Sequence, residues 1–284
     1  MKEQPGAAGP VKTPDAGDEF LAKAAAKHFL TLGFKVTKPD GTAVLETRSS
    51  FVVEIRGLWL LITAGHIVRN LCRYKEQGFE LSNFLLQEIL DLGLELPVPM
   101  VFDPHECLFI DQDCGDYAAW QLNDNEVRLL KAGGIEPVNI ANIKGEPKDY
   151  PVLALVGIPT ESLEQVRSDR HVFQVAMIPL ALIDHDLTED EREQGLHRAQ
   201  LLQQPVALVR DIDGMSGGPI FGVRRLPAET QYTIVGVQSG WFRESRITTF
   251  FEIHRLMFAL DRMIERRMAT EPEPPQSADE VASE

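Results

Sequence analysis

Cysteine, aromatic side chains and basic residues are all scarce in this chain. Its three cysteines, Cys72, Cys107 and Cys114, are odd in number and irregular in spacing, so they build no disulfide framework. They have neither CxxC spacing nor an HExxH partner, which removes the usual grounds for a zinc site. They read instead as small core hydrophobes, with no metal and no cofactor expected. A reducing, cytoplasmic setting follows as the default. Lys and Arg number 28 against 43 Asp and Glu, and the net charge of −15 argues against a partner recognised through a nucleic-acid backbone. No run approaches the roughly 18 apolar residues that span a bilayer, so no membrane partner is expected either. The first thirty residues lack the apolar stretch of a secretory signal peptide.

What is present is an ordinary globular composition, 44% hydrophobic and 25% charged, in 284 residues, enough for one large domain or two small ones. Residues 1–40 read as an extension: a Pro/Gly-rich start, then a short helix carrying Phe20, Leu21, Ala24, Ala25, Phe29 and Leu32, stopped at Gly33. From Gly41 the pattern turns to strands. Ala43–Thr47, Ser50–Ile55 and Leu58–Thr63 come first, with Arg56-Gly57 as a hairpin turn. Further candidates are Cys107–Ile110, Tyr117–Gln121, Val152–Val156, Val172–Ile178, Val206–Val209, Pro219–Val223 and Tyr232–Val237. Helical character between about 40 and 240 is confined to Arg73–Leu92 and Thr188–Gln203, both read as insertions or loops. Many short strands without βαβ alternation predict an all-β sandwich or barrel. A closing helix over about 250–268 places Ile253, Leu256, Met257, Leu260, Met263 and Ile264 on one face, and 269–284 read as a solvated acidic tail.

Three short stretches carry the chemistry. Thr63-Ala64-Gly65-His66 ends an apolar strand, Asp116 opens another, and Gly214-Met215-Ser216-Gly217-Gly218-Pro219 lies between two strand-like runs. A serine hydroxyl is a poor nucleophile until a base takes its proton. An imidazole does so at neutral pH, and a carboxylate behind it fixes the tautomer and stabilises the cation. Glycines around Ser216 let backbone N–H groups turn toward a developing oxyanion. Asp111 and Asp113 are rival carboxylates close to Asp116.

In the order His, Asp, Ser, these stretches resemble the trypsin/chymotrypsin-type serine peptidases. GxSGGP is similar to the family's nucleophile loop, TAGH to its histidine loop and Asp-x-Ala to its aspartate strand. Fifty residues separate His66 from Asp116, and a hundred separate Asp116 from Ser216. Gly236–Trp241 is similar to the strand lining the family's substrate cleft. The resemblance runs from about 41 to 262. It implies two antiparallel six-stranded β-barrels, about 41–135 and 136–250, with the active site between them. It implies Ser216 as nucleophile, His66 as general base, Asp116 as its partner, and the N–H groups of Gly214 and Ser216 as oxyanion hole. Ser239, Gly240 and Trp241 would line the cleft, and the partner would be a protein or peptide substrate. A regulatory partner is left open.

Departures narrow the branch. No cysteine flanks His66 or Ser216, and Met215 stands where members activated by cleavage carry an Asp. Nothing like their apolar new N-terminus precedes His66, so the resemblance is to the bacterial-type, non-zymogen branch. The residue six before the nucleophile, Arg210, would sit at the pocket floor, although a one-residue gap would place an acid there and reverse the preference. GxSxG also matches the nucleophile elbow of α/β-hydrolases, but an elbow enters a helix, whereas Pro219–Val223 reads as a strand. The order Ser, Asp, His also fails there, since His254 is the one histidine after Ser216 and reads as a packing residue. The alternative from another class is a catalytically inactive barrel pair acting as a peptide-binding or scaffolding module.

Overall fold

Antiparallel ladders make up most of the regular structure. The computed structural model describes residues 22–87, 97–109, 115–160, 175–183, 187–202, 211–225 and 230–270. A helical segment over 22–26 leads into β1 (Phe29–Thr37), β2 (Ala43–Ile55), β3 (Leu58–Ala64), α1 (Gly65–Glu76), β4 (Glu80–Gln87) and β5 (Val98–Pro99). Then come β6 (Leu108–Phe109), β7 (Tyr117–Gln121), α2 (Asp124–Ala132), β8 (Val138–Asn139) and β9 (Val152–Gly157). The chain continues through β10 (Ala176–Leu182), α3 (Glu189–Glu193), β11 (Leu196–Leu201), β12 (Pro219–Arg225), β13 (Thr230–Phe242), β14 (Ile247–Glu252) and α4 (Ile253–Thr270).

The strands form two units. The first is an eight-stranded sheet ordered β5-β4-β1-β2-β3-β7-β6, with β8 pairing β2; the second is a closed six-stranded barrel ordered β10-β11-β14-β13-β12-β9. This is the expected all-β architecture of two β units with helices; the second unit has the six-stranded barrel expected, whereas the first is an eight-stranded sheet rather than a six-stranded barrel, with one parallel pair, β2 against β8. β2 and β3 bury both faces: Phe51, Val53, Leu60 and Ile62 join the core shared with the barrel, and Val52 and Leu61 join a second core on the opposite face. Two-sided burial explains their unbroken apolar runs. α4 inserts Ile253, Leu256, Met257, Leu260 and Ile264 into the shared core, each burial favourable by about 1.5–3 kcal/mol. The Arg56-Gly57 turn is tied to α4, with Arg56 Nε donating to Asp261 Oδ1 at 2.6 Å. Among the described residues no helix is long and apolar enough to cross a membrane.

Several expectations are corrected. The N-terminal helix does not reach Leu32: it ends by Ala26, and Phe29–Thr37 is a strand lodged between β2 and β4. Ala43–Thr47 and Ser50–Ile55 are one strand, and Tyr232–Val237 extends to a 13-residue strand. The expected helix Arg73–Leu92 starts earlier, at Gly65, and gives way to β4. Thr188–Gln203 is helical only over Glu189–Glu193, where Thr188 and Glu191 form a capping box; β11 follows. α2, β5, β8 and β14 were not foreseen. Val206–Val209, Ile110, residues 172–174 and the tail beyond 270 lie outside the described residues.

Candidate active site

His66 is the second residue of α1, not the end of β3. A helix start leaves backbone N–H groups without intrahelical acceptors, and Ala64 at the N-cap has no side chain to satisfy them. Asp116, across the sheet, does so: its Oδ1 accepts the His66 N–H at 2.8 Å, a favourable place for a negative charge at a helix N-terminus. The Gly65 N–H donates to the Asp116 carbonyl at 3.0 Å, prolonging the β3–β7 ladder past Ala64 opposite Tyr117. The other carboxylate oxygen, Oδ2, lies 2.6 Å from His66 Nδ1.

The Asp116 carboxyl is held below the usual carboxylate range. Burial pushes it up, but the hydrogen bonds and positive charges of His66 and Arg69 together outweigh burial. An ionised carboxylate only accepts, so the imidazole proton belongs on Nδ1, leaving the Nε2 lone pair free to act as a base.

The Ser216 loop is anchored from both units. Met215 is fully buried in the barrel core beside Leu155 and Ile212. Gly217 N–H donates to the Gln238 carbonyl at 2.8 Å, and Gln238 N–H returns to Gly218 at 3.0 Å. From the first sheet, Ser49 Oγ donates to the Gly214 carbonyl at 3.3 Å and accepts the Ile158 N–H at 3.0 Å. Gly214 and Gly217 have φ of 89° and 85°, a region that side chains disfavour. A Cβ on Gly217 would also collide with Thr63 Oγ1 and the Ala64 amide, so the loop lies against the strand end that delivers His66. The N–H groups of Gly214 and Ser216 have no hydrogen-bond partner among the described residues. His66 and Asp116 are thus joined directly. Ser216 is brought to the neighbouring strand end, with no hydrogen bond between it and His66 among the described residues.

Ser239, Gly240 and Trp241 lie on β13, paired on one side with β14, Gly240 opposite Thr249 and Trp241 opposite Thr248. On the other side the ladder with β12 ends at Val237 opposite Pro219, so Ser239–Phe242 has no strand partner there among the described residues. Ser239 Oγ turns to Thr249, 3.5 Å from its carbonyl. Trp241 packs on the barrel core and donates its indole N–H to Asp211 Oδ1 at 2.6 Å. Arg243 pairs with both Asp211 and Asp213. Arg210, Asp111, Asp113 and Cys114 lie outside the described residues. Cys107 is buried and free, and burial raises its thiol well above the usual range.

Sequence reasoning missed Arg69, whose Nη2 donates to Asp116 Oδ1 at 2.6 Å, and Ser49, the cross-unit anchor. His254 is half-buried, 3.5 Å from Glu252, and borders a cleft of about 770 Å³ with Tyr117, Glu146 and Phe258. That cleft is lined by none of His66, Ser216 and Trp241.

No family model and no curated protein matches the chain. Among solved structures it is similar to the protease Anisep from Arthrobacter nicotinovorans, at 13% identity and a TM-score of 0.42 over 80% of this chain and 90% of that one. It is also similar to a catalytically inactive tobacco etch virus protease complexed with substrate, at 13% identity and a TM-score of 0.45 over 87% and 86%.

Proposed function

We propose that the chain is a serine endopeptidase working through an acyl-enzyme. The observation that carries the reading is the 2.6 Å bond between His66 Nδ1 and Asp116 Oδ2, beside a glycine-bounded serine loop whose Gly214 and Ser216 amides have no hydrogen-bond partner among the described residues. His66 Nε2 removes the Ser216 hydroxyl proton as Oγ adds to the scissile carbonyl. The carbonyl oxygen takes the electron pair and is held by the Gly214 and Ser216 N–H groups. Collapse breaks the C–N bond, and His66 gives its proton to the leaving amine. Water then repeats the sequence on the ester, restoring Ser216. Asp116 holds the Nδ1–H tautomer and stabilises the imidazolium. The unpaired edge at Ser239–Phe242 suits addition of the substrate as an extra strand.

A second reading, a catalytically inactive fold that binds peptides or scaffolds a partner, is favoured by one observation: no hydrogen bond joins Ser216 to His66. Such bonds often tighten only when substrate enters, which is why the enzymatic reading stands first. Digestion of a peptide library by the wild type and by Ser216→Ala separates the two. Cleavage by the wild type alone supports the peptidase; peptide binding without cleavage supports the module.

A further inference from the structure

We propose that Arg69 is a positioning residue of the His66–Asp116 pair, a third charge that shares the carboxylate and restrains formation of the imidazolium. The proposal rests on the peptidase reading for its consequence in catalysis, but its geometry stands apart from it. Arg69 follows His66 by three residues on α1, so both side chains leave the same helix face. Its Nη2 meets Asp116 Oδ1 at 2.6 Å, the same oxygen that accepts the His66 backbone N–H. The imidazole is thereby left Oδ2 alone. The pair is packed in place: a Cβ on Gly65 would come within 2.9 Å of both Arg69 Nη1 and Asp116 Oδ1. Arg69 is 32% exposed and Asp116 22%, so solvent screens the pair only in part. Among the described residues, His66 and Arg69 are the two charged groups acting on Asp116, and Asp116 is the ion-pair partner of the imidazole.

Two cations on opposite oxygens of one carboxylate compete for its charge. Arg69 is permanently charged, so the cost of competition falls on the imidazolium. A unit charge on the same carboxylate, partly screened, moves a titration by about half a pH unit to one unit.

The test is an NMR titration of the His66 imidazole in the full-length chain, for wild type, Arg69→Gln and Arg69→Lys, with folding confirmed for each. The midpoint should rise by about half a unit to one unit in Arg69→Gln and stay near wild type in Arg69→Lys, which keeps the charge. Arg69→Met should rise equally and serves if the glutamine variant is unstable. A shift below about 0.2 unit in the neutral variants, or an equal shift in Arg69→Lys, overturns the proposal. The readout needs no turnover. A wild type that forms no acyl-enzyme would remove the peptidase reading without touching the titration result.

Discussion

Replacing Asp116 with asparagine tests the tautomer argument with little change in shape. The structure fixes which way the new amide must face. Oδ1 already receives two donors, the His66 N–H at 2.8 Å and Arg69 Nη2 at 2.6 Å, so the amide carbonyl must stay there. The NH2 group then occupies the place of Oδ2, 2.6 Å from His66 Nδ1, and becomes a donor facing a donor. The imidazole can resolve this only by moving its proton to Nε2, where it can no longer accept one from Ser216. The carboxylate charge that stabilises the imidazolium is lost as well. In triads of this design the loss is about 10⁴ in kcat, which corresponds to about 5 kcal/mol of barrier. Single-turnover acylation by an activated ester measures it directly, with circular dichroism and a thermal melt confirming that Asp116→Asn folds. A folded variant acylating within about tenfold of wild type would refute the assignment of Asp116 as the partner that sets the His66 tautomer.

Met215→Ala empties a fully buried position in the barrel core and should cost about 2–5 kcal/mol in urea unfolding, with acylation slowed because the serine loop loses its anchor. Ser49→Ala strips a partner from the Ile158 N–H and the Gly214 carbonyl and should cost about 1–3 kcal/mol, read by the same unfolding curve. The folded-state Asp116 carboxyl titrates below its ordinary value of 3.8. Its stabilising contribution is therefore complete above that value and lost as pH falls through the lower folded one. Asp116→Asn should accordingly flatten this part of the acid-unfolding curve, and an unchanged acid dependence would count against the ion-pair description.

Sequence made the pairing of His66 with Asp116 more legible than the scaffold around it. His66, Asp116 and Ser216 stand in short runs whose residue types have few other uses in that order. β4, by contrast, carries a helical pattern for a physical reason. Asn83 adopts a φ of 54° and the ladder with β1 slips between Gly33 and Lys35, a bulge that resets the two-residue alternation. Leu81, Phe84 and Leu85 then fall at helical spacing inside a strand. β1 misled in another way: Phe29–Leu32 are all buried, so no alternation marks the strand. Arg69 could be found only once α1 was known to begin at Gly65, which places it on the face of His66. Ser49 gave no local signal at all, because its partner Gly214 lies 165 residues away.

Intact-mass and peptide-mapping analysis after treatment with a fluorophosphonate tests the central claim most directly. A single adduct on Ser216 is predicted for the wild type, with none in Ser216→Ala and a rate lower by several orders of magnitude in His66→Ala. Equal labelling of wild type and Ser216→Ala, or a folded wild type that takes up no adduct, would contradict it.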